Sequence, residues 1–309
     1  MYTAAVKSNS KYTLKIIHDE DAQSPREWDN LGKMMCWHKR YSIGDKHNFD
    51  DQQQFFSSLI MESVPIKDVI AYVKEGNASG LTLQYDKSTR EWDLKTYDNY
   101  FKKWFTAHTA EAPLDMQDWD LGDAILDAMG TGDLVTLAER KALISPLYLY
   151  DHSIQSISMK SFVGRAHHAD WDSGQIGWVY VTHEDIKKEY GDVSPESIAR
   201  AEKLLKSEVE TYDHYMRGEC YGFQLYDKKG DEIDSCWGFI GDFDEAKKDI
   251  SDYLPKDAMK LAENIEYGDN DRQHEKKPSI LAQVEKNKEI VKSQSGKSDK
   301  ANKLDFSLT

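Results

Sequence analysis

The chain lacks the short signatures by which most enzyme classes can be read from sequence. It has no HExxH, no GxSxG, no GxGxxG following a strand and no zinc-finger spacing, so chemistry built on those motifs is excluded at motif level. Gly296-Lys297-Ser298 is not a phosphate loop, because the upstream glycine position is Val291. Cysteine is scarce. Cys36, Cys220 and Cys236 form an odd set without a CxxC pair, which excludes a disulfide framework or zinc ribbon and predicts a reducing, cytoplasmic setting. Long apolar runs are missing, and MYTAAVKSNSKYTLKIIHDE has no signal-peptide core, so neither a membrane helix nor secretion is expected. Excess positive charge is absent as well. Lys and Arg total 40 against 55 Asp and Glu, a formal charge of -15 with pI near 5.1, which argues against direct binding to nucleic acid or anionic lipid.

What is present predicts an α+β protein. The 309 residues suffice for one large domain or two ordinary ones. Tyr12 to Ile17 and Leu81 to Tyr85 alternate as strands, while Gln52 to Met61 has helical spacing. Tyr97 to Phe105 reads as an aromatic-rich helix. Leu121, Ala124, Ile125, Ala128 and Met129 keep an i, i+3, i+4, i+7, i+8 stripe up to Gly130, and a second helix is predicted from Asp133 to Ile144. Pro146 to Tyr150 and Ile176 to Thr182 are short apolar strands. A long helix starts at Pro195, lines Ile198, Ala201, Leu205, Val209, Tyr212 and Met216 along one face, and stops at Gly218. Tyr221 to Tyr226 and Glu232 to Trp237 flank a Gly-containing turn and form a hairpin.

From Asp271 to Thr309 there are nine Lys/Arg, six Asp/Glu and few large apolar residues, the composition of a disordered tail. The expected organisation is an N-terminal α+β region over 1–110, an acidic helix pair followed by sheet, long helix and hairpin over 111–270, and a flexible tail over 271–309. The fold class is α+β, with a mixed or antiparallel sheet.

Two sets of residues could carry function. Between Lys103 and Arg140 there is no basic residue, while eight Asp and Glu fall there. Asp120, Asp123 and Asp127 form a helical stripe of carboxylates spaced by about 5 Å of rise. Such a row can occupy a basic groove on another protein, or it can be a solvated face. The second set is Asp151, His152, Asp172 and Glu208, which with a divalent metal as cofactor would serve a hydrolase acting on a nucleotide or nucleic acid. The same residues also read as turn, cap and surface positions, and without that alternative no cofactor and no metal is implied. His167-His168 on an extended segment would point apart, which disfavours a shared ion. Cys36 and His38 would need Cys236 and His47 to complete a zinc site.

REWDNLGKMMCWHKRYSIGDKH, LYLYDHS, WDSGQIGWVYV, EVETYDHYMRGECYGFQL and DSCWGFIGD recur in a pattern that resembles a family of proteins carried by bacteriophages, plasmids and conjugative elements. The likeness covers 26–48 and 147–242, about 40 per cent of the chain. The family has no established activity, so the resemblance transfers no catalytic residue. It implies the setting of a mobile-element accessory protein that binds a host protein, such as a nucleic-acid-handling defence enzyme. A purely architectural reading of the same motifs puts Trp28, Trp37, Trp171, Trp178 and Trp237 in a core.

Overall fold

The computed structural model describes residues 2–152 and 154–269; the expected tail lies outside the described residues. The chain opens with β1 (Thr3–Ser8), β2 (Tyr12–His18) and β3 (Lys33–Cys36), followed by α1 (Gln52–Ser63) and α2 (Ile66–Lys74). Next come β4 (Leu81–Asp86), β5 (Glu91–Asp98), β6 (Lys103–Glu111), α3 (Trp119–Ala128) and α4 (Thr131–Ala138). The second half runs β7 (Ala142–Asp151), β8 (Gln155–Ser158), α5 (Ala169–Asp172), β9 (Ser173–Thr182), α6 (His183–Tyr190), α7 (Pro195–Met216), β10 (Cys220–Asp227), β11 (Glu232–Ile240), α8 (Phe243–Tyr253) and α9 (Lys256–Asn264). The fold is α+β, and no described helix is long and apolar enough to cross a membrane.

Polar side chains set the element ends, because the first amides of a helix have no partner inside it. Side-chain oxygens of Asp51, Asp118, Thr182, Ser194 and Asp242 accept the N–H of the residue three positions on, starting α1, α3, α6, α7 and α8. Asp and Asn close the hairpins in the same way. Asn9 accepts from Lys11 and Tyr12 N–H, Asp98 from Tyr100 and Phe101, and Asp227 from Lys229 and Asp231.

Three antiparallel sheets result, ordered β1-β2-β10-β11, β3-β9-β7-β8 and β4-β5-β6. The β3-β9-β7-β8 sheet is buried on both faces, and strand alternation sorts its side chains. Met35, Tyr180, Ala142 and Ile144 enter the cluster built by α1 to α4 around Phe55, Phe56, Leu121 and Ile125. Met34, Val179, Val181, Leu147 and Leu149 enter the opposite cluster under α6 and α7 with Ala201, Leu205 and Val209. A third cluster packs Leu14, Ile16, Phe223 and Leu225 against α8 and α9. Residues on both sides of 108–115 share the first cluster, and β2 pairs with β10 across the whole chain.

Two predicted elements are corrected. Residues 97–105 are the end of β5, a turn and the start of β6, because Asp98 captures the Tyr100 and Phe101 amides and Lys102 adopts a φ of 54° that reverses the chain. Tyr97 and Trp104 are cross-strand partners with ring centroids 5.3 Å apart, a pairing that favours strands. The helix expected to reach Ile144 ends at Ala138, and Ala142 and Ile144 alternate inward from β7. Pro146 is tolerated in that strand because β8 pairs only from Tyr148 onward.

Candidate functional site

On α3, Leu121, Ile125 and Leu126 are buried against α2 and β6, which leaves Asp120, Asp123 and Asp127 on the solvent face. None of these three carboxylates makes a hydrogen bond or ion pair with another described residue. Their neighbours in sequence are occupied differently. Asp118 caps α3 by accepting the Leu121 N–H at 3.1 Å, and Asp133 accepts from Tyr72 Oη and the Ser79 amide. Burial and the nearby Asp133 raise the Tyr72 phenol above its ordinary range.

Exposed aromatic side chains lie on α3 itself and on the hairpin that packs against it. Trp119, at the first position of α3, is 56% exposed, and Tyr100, Phe101, Trp104 and Phe105 are exposed on the β5–β6 hairpin, whose second strand packs on α3. Phe101 meets Tyr100 and Phe105 edge to face. Reading 97–105 as a helix hid this patch. Its sequence signal was the density of Tyr, Phe and Trp beside an Asp-Asn turn, a hairpin composition.

The second set of predicted residues divides. His152 Nδ1 and Asp172 Oδ2 are 2.8 Å apart, with Asp172 closing α5 and His152 following β7. Asp151 ends β7 opposite Gln155. His168 takes a left-handed φ of 56°, so that His167 and His168 do not point apart but meet at 3.8 Å, and the His168 ring stands 6.2 Å from His152. Among the described residues no three His, Cys, Asp or Glu are arranged to hold a metal ion.

Glu208 serves elsewhere. Its carboxylate accepts the Leu31 N–H at 2.8 Å and the Gly32 N–H at 3.0 Å, with Arg26 Nη1 4.0 Å away. Arg26, whose side chain is 5% exposed, donates to both oxygens of Asp45 at 2.8 and 2.9 Å and to the Gly32 carbonyl at 2.7 Å. Asp45 also accepts the Met34 N–H. Burial pushes the Glu208 carboxyl above its ordinary range, opposed by the two amides and Arg26. Gly32 is required for close approach, since a Cβ there would lie 2.8 Å from Glu208 Oε2. The Arg26 to Asp45 motif is therefore a clamp that fixes the 37–44 loop, closed by Gly44 at φ 77° donating its N–H to Tyr212 Oη.

The tryptophans divide too. Trp37 and Trp178 pack on the first cluster and donate to the Phe49 carbonyl and Gln52 Oε1. Trp171 is 89% exposed and Trp28 and Trp237 are also exposed, so the purely architectural reading of all five does not hold. Cys36 and His38, which would need Cys236 and His47 to complete a zinc site, have other contacts, and His38 Nδ1 accepts the Tyr41 N–H at 3.3 Å. His47 Nε2 bonds the Cys36 carbonyl at 3.0 Å, and the Cys36 thiol is buried with its pKa pushed up to about 12. Comparison with family models, with curated proteins and with solved structures finds no match to this chain.

Proposed function

We propose that this is a non-enzymatic interaction protein of a phage or plasmid that binds the basic surface of a host protein, of the kind that handles nucleic acid, through α3 and its aromatic flank. The observation that carries this is the state of Asp120, Asp123 and Asp127: exposed, adjacent on one helix face and unpaired among the described residues. Carboxylates kept free of cations retain their full attraction for a positive partner, and electrostatic complementarity of this kind governs encounter rate and specificity. Exposed Trp119, Trp104 and Phe105 supply the apolar anchors that charge alone does not, as aromatic side chains dominate interface energetics. The resemblance to mobile-element proteins supports the setting.

The test is capture of host protein on the tagged full chain, repeated with Asp120, Asp123 and Asp127 all changed to Asn. The expected result is a partner that heparin displaces and that the triple variant fails to retain. Equal capture by the triple variant removes α3 from the function. The hydrolase alternative keeps the His152–Asp172 contact but loses Glu208 to the Leu31 and Gly32 amides. It predicts a metal-stimulated nucleotide hydrolysis that His152→Ala abolishes.

A further inference from the structure

A separate cleft of about 710 Å³ opens between the turn after β2, the 40–43 loop and the C-terminal end of α7. That volume lies in the ordinary range for small-molecule sites. Its lining includes Tyr41, Tyr215, Asp19 and Arg40, together with Tyr212, which is itself buried in the core under α7. These residues come from distant parts of the chain and belong to none of the contacts assigned to α3.

The aromatic walls are held in place. The Tyr212 hydroxyl accepts the Gly44 N–H at 3.1 Å, its ring lies nearly parallel to Tyr215 with centroids 6.1 Å apart, and Tyr41 stacks on His38 at 5.0 Å. Asp19 is fixed by the Asp21 and Gly238 amides, each at 3.2 Å, and no Lys or Arg among the described residues pairs with it. The nearby cation at the end of α7 is already neutralised, since Arg217 reaches Asp213 at 3.5 Å and Glu219 at 2.5 Å. A helix also carries partial negative charge at its C-terminal end.

The geometry points to a binding site for an organic cation, an alkylammonium or guanidinium group seated against Tyr41 and Tyr215 and facing Asp19. Aromatic faces attract such cations through their quadrupoles, and the Asp19 carboxylate reinforces the field. Arg40 opposes the ligand, which makes its removal diagnostic. The inference does not rest on the α3 reading.

The experiment titrates the full chain by calorimetry and NMR with tetramethylammonium, with spermidine and with a blocked arginine-containing tripeptide; the last two separate a free amine from a protein side chain as source. Saturable binding to at least one probe is expected. Asp19→Asn should weaken it about tenfold, Tyr215→Leu or the more exposed Tyr41→Leu about three- to fivefold each, and Arg40→Ala should tighten it. The triple Asn variant of α3 should leave it unchanged. The inference is overturned by an absence of saturable binding, by Arg40→Ala weakening the cation while inorganic phosphate binds in its place, or by the α3 variant reducing binding as much as Asp19→Asn, which would mean diffuse attraction to an acidic surface.

Discussion

Replacing Glu208 tests whether the Trp-rich N-terminal motif is a structural clamp. The carboxylate side chain is 9% exposed and accepts two main-chain amides, those of Leu31 and Gly32, while sharing Arg26 with Asp45. Glu208→Ala leaves two part-buried donors without an acceptor and Arg26 with one carboxylate instead of two. A hydrogen bond to a charged acceptor contributes about 1.5 to 3 kcal/mol, and an orphaned buried donor costs about 1 to 3 kcal/mol. The two amides are adjacent and cannot be summed as independent sites, so the expected loss is about 3 to 4 kcal/mol. For a folded unit of this size that lowers the melting temperature by roughly 6 to 15 °C. Glu208→Gln keeps one carbonyl oxygen and should cost about half as much. The pH dependence has a defined sign. A carboxyl raised by burial binds its proton more tightly folded than unfolded, so stability falls as pH rises from the ordinary glutamate range through the folded value. Wild type should therefore lose stability relative to Glu208→Gln across that window and run parallel to it above. Chemical denaturation followed by fluorescence at several pH values measures both effects. A loss below about 1 kcal/mol for Glu208→Ala would refute the clamp and return Glu208 to the list of residues free for chemistry.

Two further outcomes separate structural from exposed groups. Asp118→Ala removes the α3 cap and should cost about 1 kcal/mol, whereas Asp123→Asn, one turn along on the solvent face, should leave denaturant midpoints unchanged or slightly raised. Thiol labelling with iodoacetamide followed by mass spectrometry at neutral pH should modify the part-exposed Cys236 first. Cys36 and Cys220, buried with pKa values pushed up to about 12 and about 11, should react only on unfolding. Early labelling of Cys36 would mean that the 37–44 loop opens readily.

The parts of this protein that sequence alone determined are those specified by near neighbours. The face of α7 from Ala201 to Tyr212 follows from 3.6-residue spacing, its start from Pro195, and its end from Gly218. The β10–β11 hairpin follows from alternation around Asp227 and Gly230, and the acidic stripe of α3 from an apolar stripe that assigns Asp120, Asp123 and Asp127 to the other side. Each signal lies within a few residues of the element it specifies, so propensity and period suffice.

Tertiary structure decided the rest. Tyr97 to Phe105 carries enough apolar residues for a helix face, and it became a hairpin because cross-strand partners were present and Asp98 supplied the turn. Glu208 looks like a helix-surface carboxylate until the chain returns residues 31 and 32 to it across 176 positions or more. His152 and Asp172 met, and Glu208 did not join them, because α7 presents it to the Arg26 clamp. The cleft with Asp19, Tyr41 and Tyr215 is assembled from three distant segments. Such contacts depend on loop closure and on the packing of whole sheets, which spacing along a single chain does not encode.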